Sequence, residues 1–257
     1  MTNIKPIQNI EPVSHRRFVA EALLRLKSEL KSQILDGAEA ETQSFRLASW
    51  NLMHFGNGGA YARNVESMMY IAEIIDHFDL VAVQEVNDDL AALETLMRDH
   101  LGVGWDYIVT DTTEGDRGNS ERLAFVFRKS KVIFRREAGE IVLPIGQRIV
   151  ERGEDAPADQ SVQFARTPFS VAFQSGWFKF KLCTVHIYYG NASENSPEMA
   201  QRREEIEKIA RFLAARQARE QEVHDKAANF ILLGDFNIVS PEHKTMKALE
   251  DAGFVVP

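Results

Sequence analysis

Phe230-Ile231-Leu232-Leu233-Gly234-Asp235-Phe236-Asn237 sets an apolar run directly before a glycine, a carboxylate and an amide. A short apolar run bounded by polar residues predicts a strand buried on both faces, and layered α/β folds keep their sites where the backbone leaves such a sheet. Leu80-Val81-Ala82-Val83-Gln84-Glu85 repeats the pattern far upstream. Two further strand-like segments end in the same manner, Phe45-Arg46-Leu47-Ala48-Ser49-Trp50-Asn51 and Phe180-Lys181-Leu182-Cys183-Thr184-Val185-His186. Asn51, Glu85, His186, Asp235 and Asn237 are therefore expected to meet at one edge.

Outward from these strands, residues 45–257 alternate strand and helix. Val65, Met68, Met69, Ala72 and Ile75 share one helical face ahead of the Glu85 strand, and Leu90, Leu93, Met97 and Leu101 make a second helix that Gly102 stops. The methionine-rich stripe reads as core rather than as a cofactor box. Residues 105–110, 122–127 and 131–135 read as strands, with the polar loop 111–120 between the first two. Phe169, Val171 and Phe173, then Phe178, Phe180, Leu182 and Thr184, alternate as half-buried strands do, and Ser175-Gly176 joins them as a hairpin. Residues 148–160, charged and carrying Gly153 and Pro157, read as a loop. A long helix over 197–226, with Ile206, Ile209, Ala210 and Leu213 inward and mixed charges outward, feeds the Asp235 strand. The order strand, helix, strand thus occurs twice, and that duplication predicts two related sheets packed face to face with helices outside.

Ahead of this domain, residues 1–44 read as a helical appendage. Phe18, Ala22, Leu26 and Leu30 are spaced by four over a helix at 14–36, Leu23 and Ile34 widen the stripe, and 37–44 is a polar break. Arg16, Arg17, Arg25, Lys27 and Lys31 read as its solvated face, and no chemistry is assigned to them.

A formal charge of −8 excludes a general polyanion binder that neutralises long phosphate tracts, while leaving room for a local basic groove. Cys183 is the only cysteine, so no intrachain disulfide forms and no disulfide-linked partner is expected. Residues 1–14 lack the apolar core of a signal peptide and no apolar stretch is long enough to span a bilayer, which predicts a cytoplasmic protein without a membrane partner.

A phosphodiester resists attack because nucleophile and phosphate oxygens are both negative; a catalyst needs a cation on the phosphate, a base for water and an acid for the leaving oxygen. Hard divalent cations take oxygen ligands, and Glu85 with the Asn51 side-chain carbonyl fits Mg²⁺; one cysteine and scattered histidines give no zinc spacing. Asp235 is the candidate for the water and His186 for the leaving group, while Asn237 donates from its amide to the phosphate or the attacking oxygen without adding charge. Taken singly, Asn51 is a buried amide, Glu85 a strand-end ion pair and His186 a structural histidine. The four strand ends together shift the balance.

Ser49-Trp50-Asn51, Val83-Gln84-Glu85, Thr184-Val185-His186 and Gly234-Asp235-Phe236-Asn237, in that order, resemble the endonuclease/exonuclease/phosphatase superfamily over roughly residues 45–257. Arg117-Gly118-Asn119-Ser120-Glu121-Arg122 before an aromatic strand, and Arg166-Thr167-Pro168-Phe169, point to its pancreatic deoxyribonuclease-like branch. The resemblance implies a four-layer α/β sandwich, two packed mixed sheets with outer helices. It also implies a phosphodiester hydrolase dependent on Mg²⁺ or Mn²⁺, with nucleic acid as the preferred substrate of an endonuclease or exonuclease. By the same resemblance, Glu121 pairs with and orients His186, keeping it protonated, and Arg166 contacts a substrate phosphate.

Where that branch carries arginines that enter the DNA minor groove, this chain has Met53 and Asn87. A phosphoesterase for a small phosphorylated substrate (lipid, inositol or nucleotide) is therefore the first alternative, and a non-catalytic binding module on the same scaffold the second. The family also ends with two more strands bearing an aspartate and a terminal Asp-His pair. His243, after Glu242, falls in a loop before a short helix at 244–252 and reads as solvent-exposed. The expectation is a domain over 45–257 that lacks its C-terminal strands and in this form has little or no activity.

Overall fold

The structure, a computed structural model, describes residues 2–35, 44–56, 58–112, 120–152, 161–224 and 229–256. The expected polar break at 37–44, the loops at 111–120 and 148–160, the Arg117-Gly118-Asn119 part of the motif and the helix end at 225–226 lie wholly or partly outside these residues. The chain forms two compact units: Met1–Val109 with Ala124–Ile133 and Ser175–Trp177, and Thr110–Leu123 with Phe134–Gln174 and Phe178–Pro257.

In the first unit, β1 (Leu47–Phe55), α2 (Val65–Ile75) and β2 (Leu80–Val86) form a strand, helix, strand unit whose two strands pair in parallel. The sheet order is β1-β2-β4-β3, with β3 (Trp105–Val109) antiparallel to β4 (Arg122–Arg128). Leu80 to Val83 are all buried, as expected of this strand. Asn64 caps α2 by accepting the Ser67 N–H at 2.8 Å, and Met68, Ala72 and Ile75 pack with Val81, Val83 and Val126 into one core. Each fully buried side chain of this size is worth about 1.5–3 kcal/mol of transfer free energy, so the methionine stripe belongs to stability. The helix expected from Leu90 to Leu101 divides: α3 (Ala91–Thr95) passes into a π-helical turn at Leu96–Leu101. The Gly102 N–H donates to Met97 O at 2.7 Å, a five-residue closure that the 3.6-residue period does not encode. Helix α1 (Val13–Leu35) packs on α2 through Val19 and Met69.

The second unit repeats the arrangement. Here β9 (Phe178–His186), α4 (Pro197–His224) and β10 (Asn229–Asp235) form the strand, helix, strand unit, with β9 and β10 parallel. The sheet order is β10-β9-β8-β5, where β5 is Ile133–Glu140 and β8 is Phe169–Ser175. Ile206, Ile209, Ala210 and Leu213 of α4 pack against Cys183 and Val185 of β9. Two expectations are corrected. Phe230 to Leu233 are half-buried rather than buried, because among the described residues β10 ends its sheet and has a strand neighbour on one side only. Within the loop expected at 148–160, β6 (Ile149–Val150) pairs with β7 (Ser161–Val162), a short ladder nucleated by the buried Ile149. His243 is half-buried and caps α5 (Lys244–Asp251) through Nδ1, which accepts the Thr245 N–H at 3.2 Å. Among the described residues, no helix is long and apolar enough to cross a membrane.

Candidate active site

In the first unit, Asn51 pairs with Gln84 and Phe55 with Val86, so β1 carries three residues opposite the single residue Glu85. The surplus forms a bulge. Met53 and His54 take left-handed backbone angles, with φ of 46° and 51°, and Glu85 itself has φ 61°. For side chains with a Cβ such angles cost of order 1–3 kcal/mol each and persist only where the surroundings enforce them. Here they are enforced by the carboxylate: Asn51 Nδ2 donates to Glu85 Oε1 at 2.6 Å and the His54 N–H donates to Oε2 at 2.8 Å. Asn51 Oδ1 accepts the Met53 N–H at 2.8 Å, and Arg63 donates to the carbonyls of Leu52 and Met53, each at 2.7 Å. His54 Nδ1 lies 3.6 Å from Glu85 Oε2. The fixed Glu85 carboxylate is a hard-oxygen donor that fits a hard divalent cation, whereas Asn51, expected to offer its side-chain oxygen, turns its amide nitrogen to Glu85 and its oxygen to the Met53 N–H. His54 was not singled out from sequence, because nothing in the period of β1 marks the bulge.

In the second unit, His186 ends β9 with its Nδ1 3.0 Å from Glu121 Oε2. Arg166 Nε donates to the same Oε2 at 3.0 Å, and its Nη2 lies 3.5 Å from Oε1. All three side chains are buried. Burial pushes the Glu121 carboxyl up, but its hydrogen bond to His186 and the charge of Arg166 outweigh that and hold it below the usual carboxylate range. Glu121 is thus an anion between two donors, while its neighbour Arg122 turns away to Thr110 O and Asp111.

Asp235 sits beside His186 in the β9–β10 register. Its Oδ1 accepts the Asn237 N–H at 2.9 Å, and Asn237, at φ 52°, donates from Nδ2 to Ile187 O at 2.7 Å. Gly234 permits this turn. Its φ is +136°, and a Cβ there would meet Val185 O at 2.1 Å, so only glycine lets the two strand ends approach so closely. The site residues expected from sequence therefore gather as Asn51 with Glu85 in one unit, and as Glu121, Arg166, His186, Asp235 and Asn237 in the other.

The mixed charges of α4 are expected to face outward, yet Arg202 and Glu205 are fully buried. Their spacing carried the signal: 202, 205, 206, 209 and 213 fall on one helical face.

Comparison with known proteins gives a coherent picture. The profile of the Endonuclease/Exonuclease/phosphatase family matches residues 48–251. A deoxyribonuclease of Thioalkalivibrio sp. (strain K90mix) is 31% identical over 212 residues, which cover 79% of this chain and 49% of that protein. The chain thus spans about half the length of that relative. The crystal structure of an endonuclease/exonuclease/phosphatase family protein from Bacteroides thetaiotaomicron aligns with a TM-score of 0.53 at 22% identity, covering 81% of this chain and 69% of that one. A functionally unknown conserved protein from Enterococcus faecalis V583 aligns with a TM-score of 0.55 at 16% identity, covering 80% and 72%. These two likenesses bear on the fold, and they agree with the α/β-sandwich class expected from the sequence.

Proposed function

The chain belongs to the endonuclease/exonuclease/phosphatase family, and from that premise we propose that it is a metal-dependent phosphodiester hydrolase acting on nucleic acid. The observation that carries the reading is the buried Glu121 carboxylate shared by His186 and Arg166, in the same unit as Asp235 and Asn237 at a neighbouring strand end. An anion so placed fixes the His186 ring, so that its far nitrogen delivers a proton to the leaving oxygen. Asp235 takes the proton of the attacking water. Asn237 spends one amide hydrogen on Ile187 O and offers its second to a phosphate oxygen; Arg166 adds positive charge for the same phosphate. Glu85, with Asn51 beside it, holds Mg²⁺ or Mn²⁺, which when bound neutralises phosphate charge. The deoxyribonuclease relative supports nucleic acid as the substrate.

One observation favours a second reading, a small phosphorylated substrate. Met53 is 58% exposed and uncharged where the resemblance called for an arginine against DNA. The two readings separate in one assay: the protein at its natural length is given supercoiled plasmid, single-stranded oligonucleotide and bis(p-nitrophenyl) phosphate with Mn²⁺, with His186→Ala as control. Cleavage of the polymers supports the nuclease. Turnover of the small diester alone supports the second reading.

A further inference from the structure

Helix α4 buries an arginine that has no carboxylate partner among the described residues. Arg202 Nε donates to Tyr188 O at 3.1 Å, Nη1 to Asn237 O at 2.9 Å, and Nη2 to Asn191 O at 3.3 Å and to Tyr189 O. Its guanidinium also lies 5.0 Å from the centre of the Tyr189 ring. One turn along the same face, Glu205 accepts the Tyr188 N–H at 3.1 Å through Oε2 and the Ala165 N–H at 3.3 Å through Oε1. Both side chains therefore spend their charge on backbone groups. A planar fork of five N–H donors is the one side chain that can serve four carbonyls at once, so neither lysine nor a neutral residue replaces Arg202. Burying such a charge is costly unless every hydrogen bond is made, which argues for a task beyond packing.

The backbone groups they hold belong to three segments. One follows His186, one is the turn of Asn237, and one leads into Arg166. We propose that Arg202 and Glu205 are positioning residues that lock these three segments to α4 and so set the geometry of His186, Asn237 and Arg166. The inference rests on the reading of those three residues as a hydrolytic site, and it adds the support that keeps them in place. Burial pushes the Glu205 carboxyl up to about 7, against the Tyr188 and Ala165 N–H groups, the charge of Arg166 and a hydrogen bond from Gln201.

Hydrogen exchange on the protein at its natural length tests the proposal without requiring turnover. Arg202→Lys, Arg202→Met and Glu205→Gln are compared with wild type over residues 187–192 and 235–240, with β8 as internal reference. Exchange in both segments should rise by at least about tenfold in Arg202→Met, less in Arg202→Lys, with β8 unchanged. In Glu205→Gln the Tyr188 and Ala165 amide resonances should lose a shared titration near neutral pH. Unchanged exchange in both segments, or an equal rise throughout the chain, overturns the proposal. If the segments respond while wild type cleaves no phosphodiester, the positioning role stands and the hydrolase reading fails. If wild type cleaves and the segments do not respond, the positioning role fails alone.

Discussion

Nδ1 of His186 lies 3.0 Å from Oε2 of Glu121, and both side chains are buried. Removing the anion leaves the ring and Arg166 without their shared acceptor. Glu121→Gln should therefore lower kcat by about tenfold or more, up to the ~10²–10⁴-fold that an acid group contributes, with KM changed far less. Steady-state kinetics on the substrate that wild type cleaves checks the split.

The same carboxyl sets an acid limit on stability. Its folded-state pKa is depressed below the ordinary 4.5, so its contribution is present above about that pH and is lost as the pH falls through the lower folded value. Melting curves from pH 6 down to pH 3 should show a steeper loss for wild type than for Glu121→Gln.

Glu205 acts in the opposite sense. Its folded-state pKa is raised from 4.5 to about 7, so the contribution is full below 4.5 and is lost as the pH rises through about 7. Wild type should lose stability between about pH 5 and pH 7.5, by up to about 3 kcal/mol at 1.36 kcal/mol per pKa unit. Glu205→Gln should show a flatter profile over that interval in urea titrations.

Gly234→Ala should be among the most damaging single changes in the second unit. Its Cβ would meet Val185 O at 2.1 Å with φ at +136°, whereas Gly102, at φ +77°, has open space around a Cβ. Gly102→Ala should cost only backbone strain, about 1–3 kcal/mol at its φ of 77° and ψ of −171°, and Gly234→Ala clearly more, read as the difference in midpoint of chemical unfolding.

Glu85→Gln should weaken Mn²⁺ binding by at least about tenfold in calorimetric titration, because a neutral amide replaces the only carboxylate in the Asn51 pairing. Unchanged affinity would remove Glu85 as the ligand.

The strand ends were legible because an apolar run that stops at a polar residue marks both the buried strand and its exit from the sheet. That pattern carried Glu85, His186 and Asp235 at strand ends and Asn237 just beyond, but not Asn51, which lies within β1 because that strand runs on to Phe55. It did not carry the bulge of β1, because the left-handed backbone of Met53 and His54 follows from the Glu85 carboxylate across the sheet and not from any local period. Nor did it separate β2 from β10, whose apolar runs look alike while only β10 ends its sheet. Arg202 and Glu205 depart from expectation for another reason. Their charge suggested solvent, and their spacing with Ile206 and Ile209, which placed them inward, was outweighed.

The most direct test of the account is metal-dependent cleavage by the protein at its natural length, measured beside Asp235→Asn and His186→Ala purified in the same way. The account expects cleavage of a phosphodiester with Mg²⁺ or Mn²⁺, none after chelation, and a loss of ~10²-fold or more in each variant. Cleavage that both variants retain at the wild-type rate would contradict it.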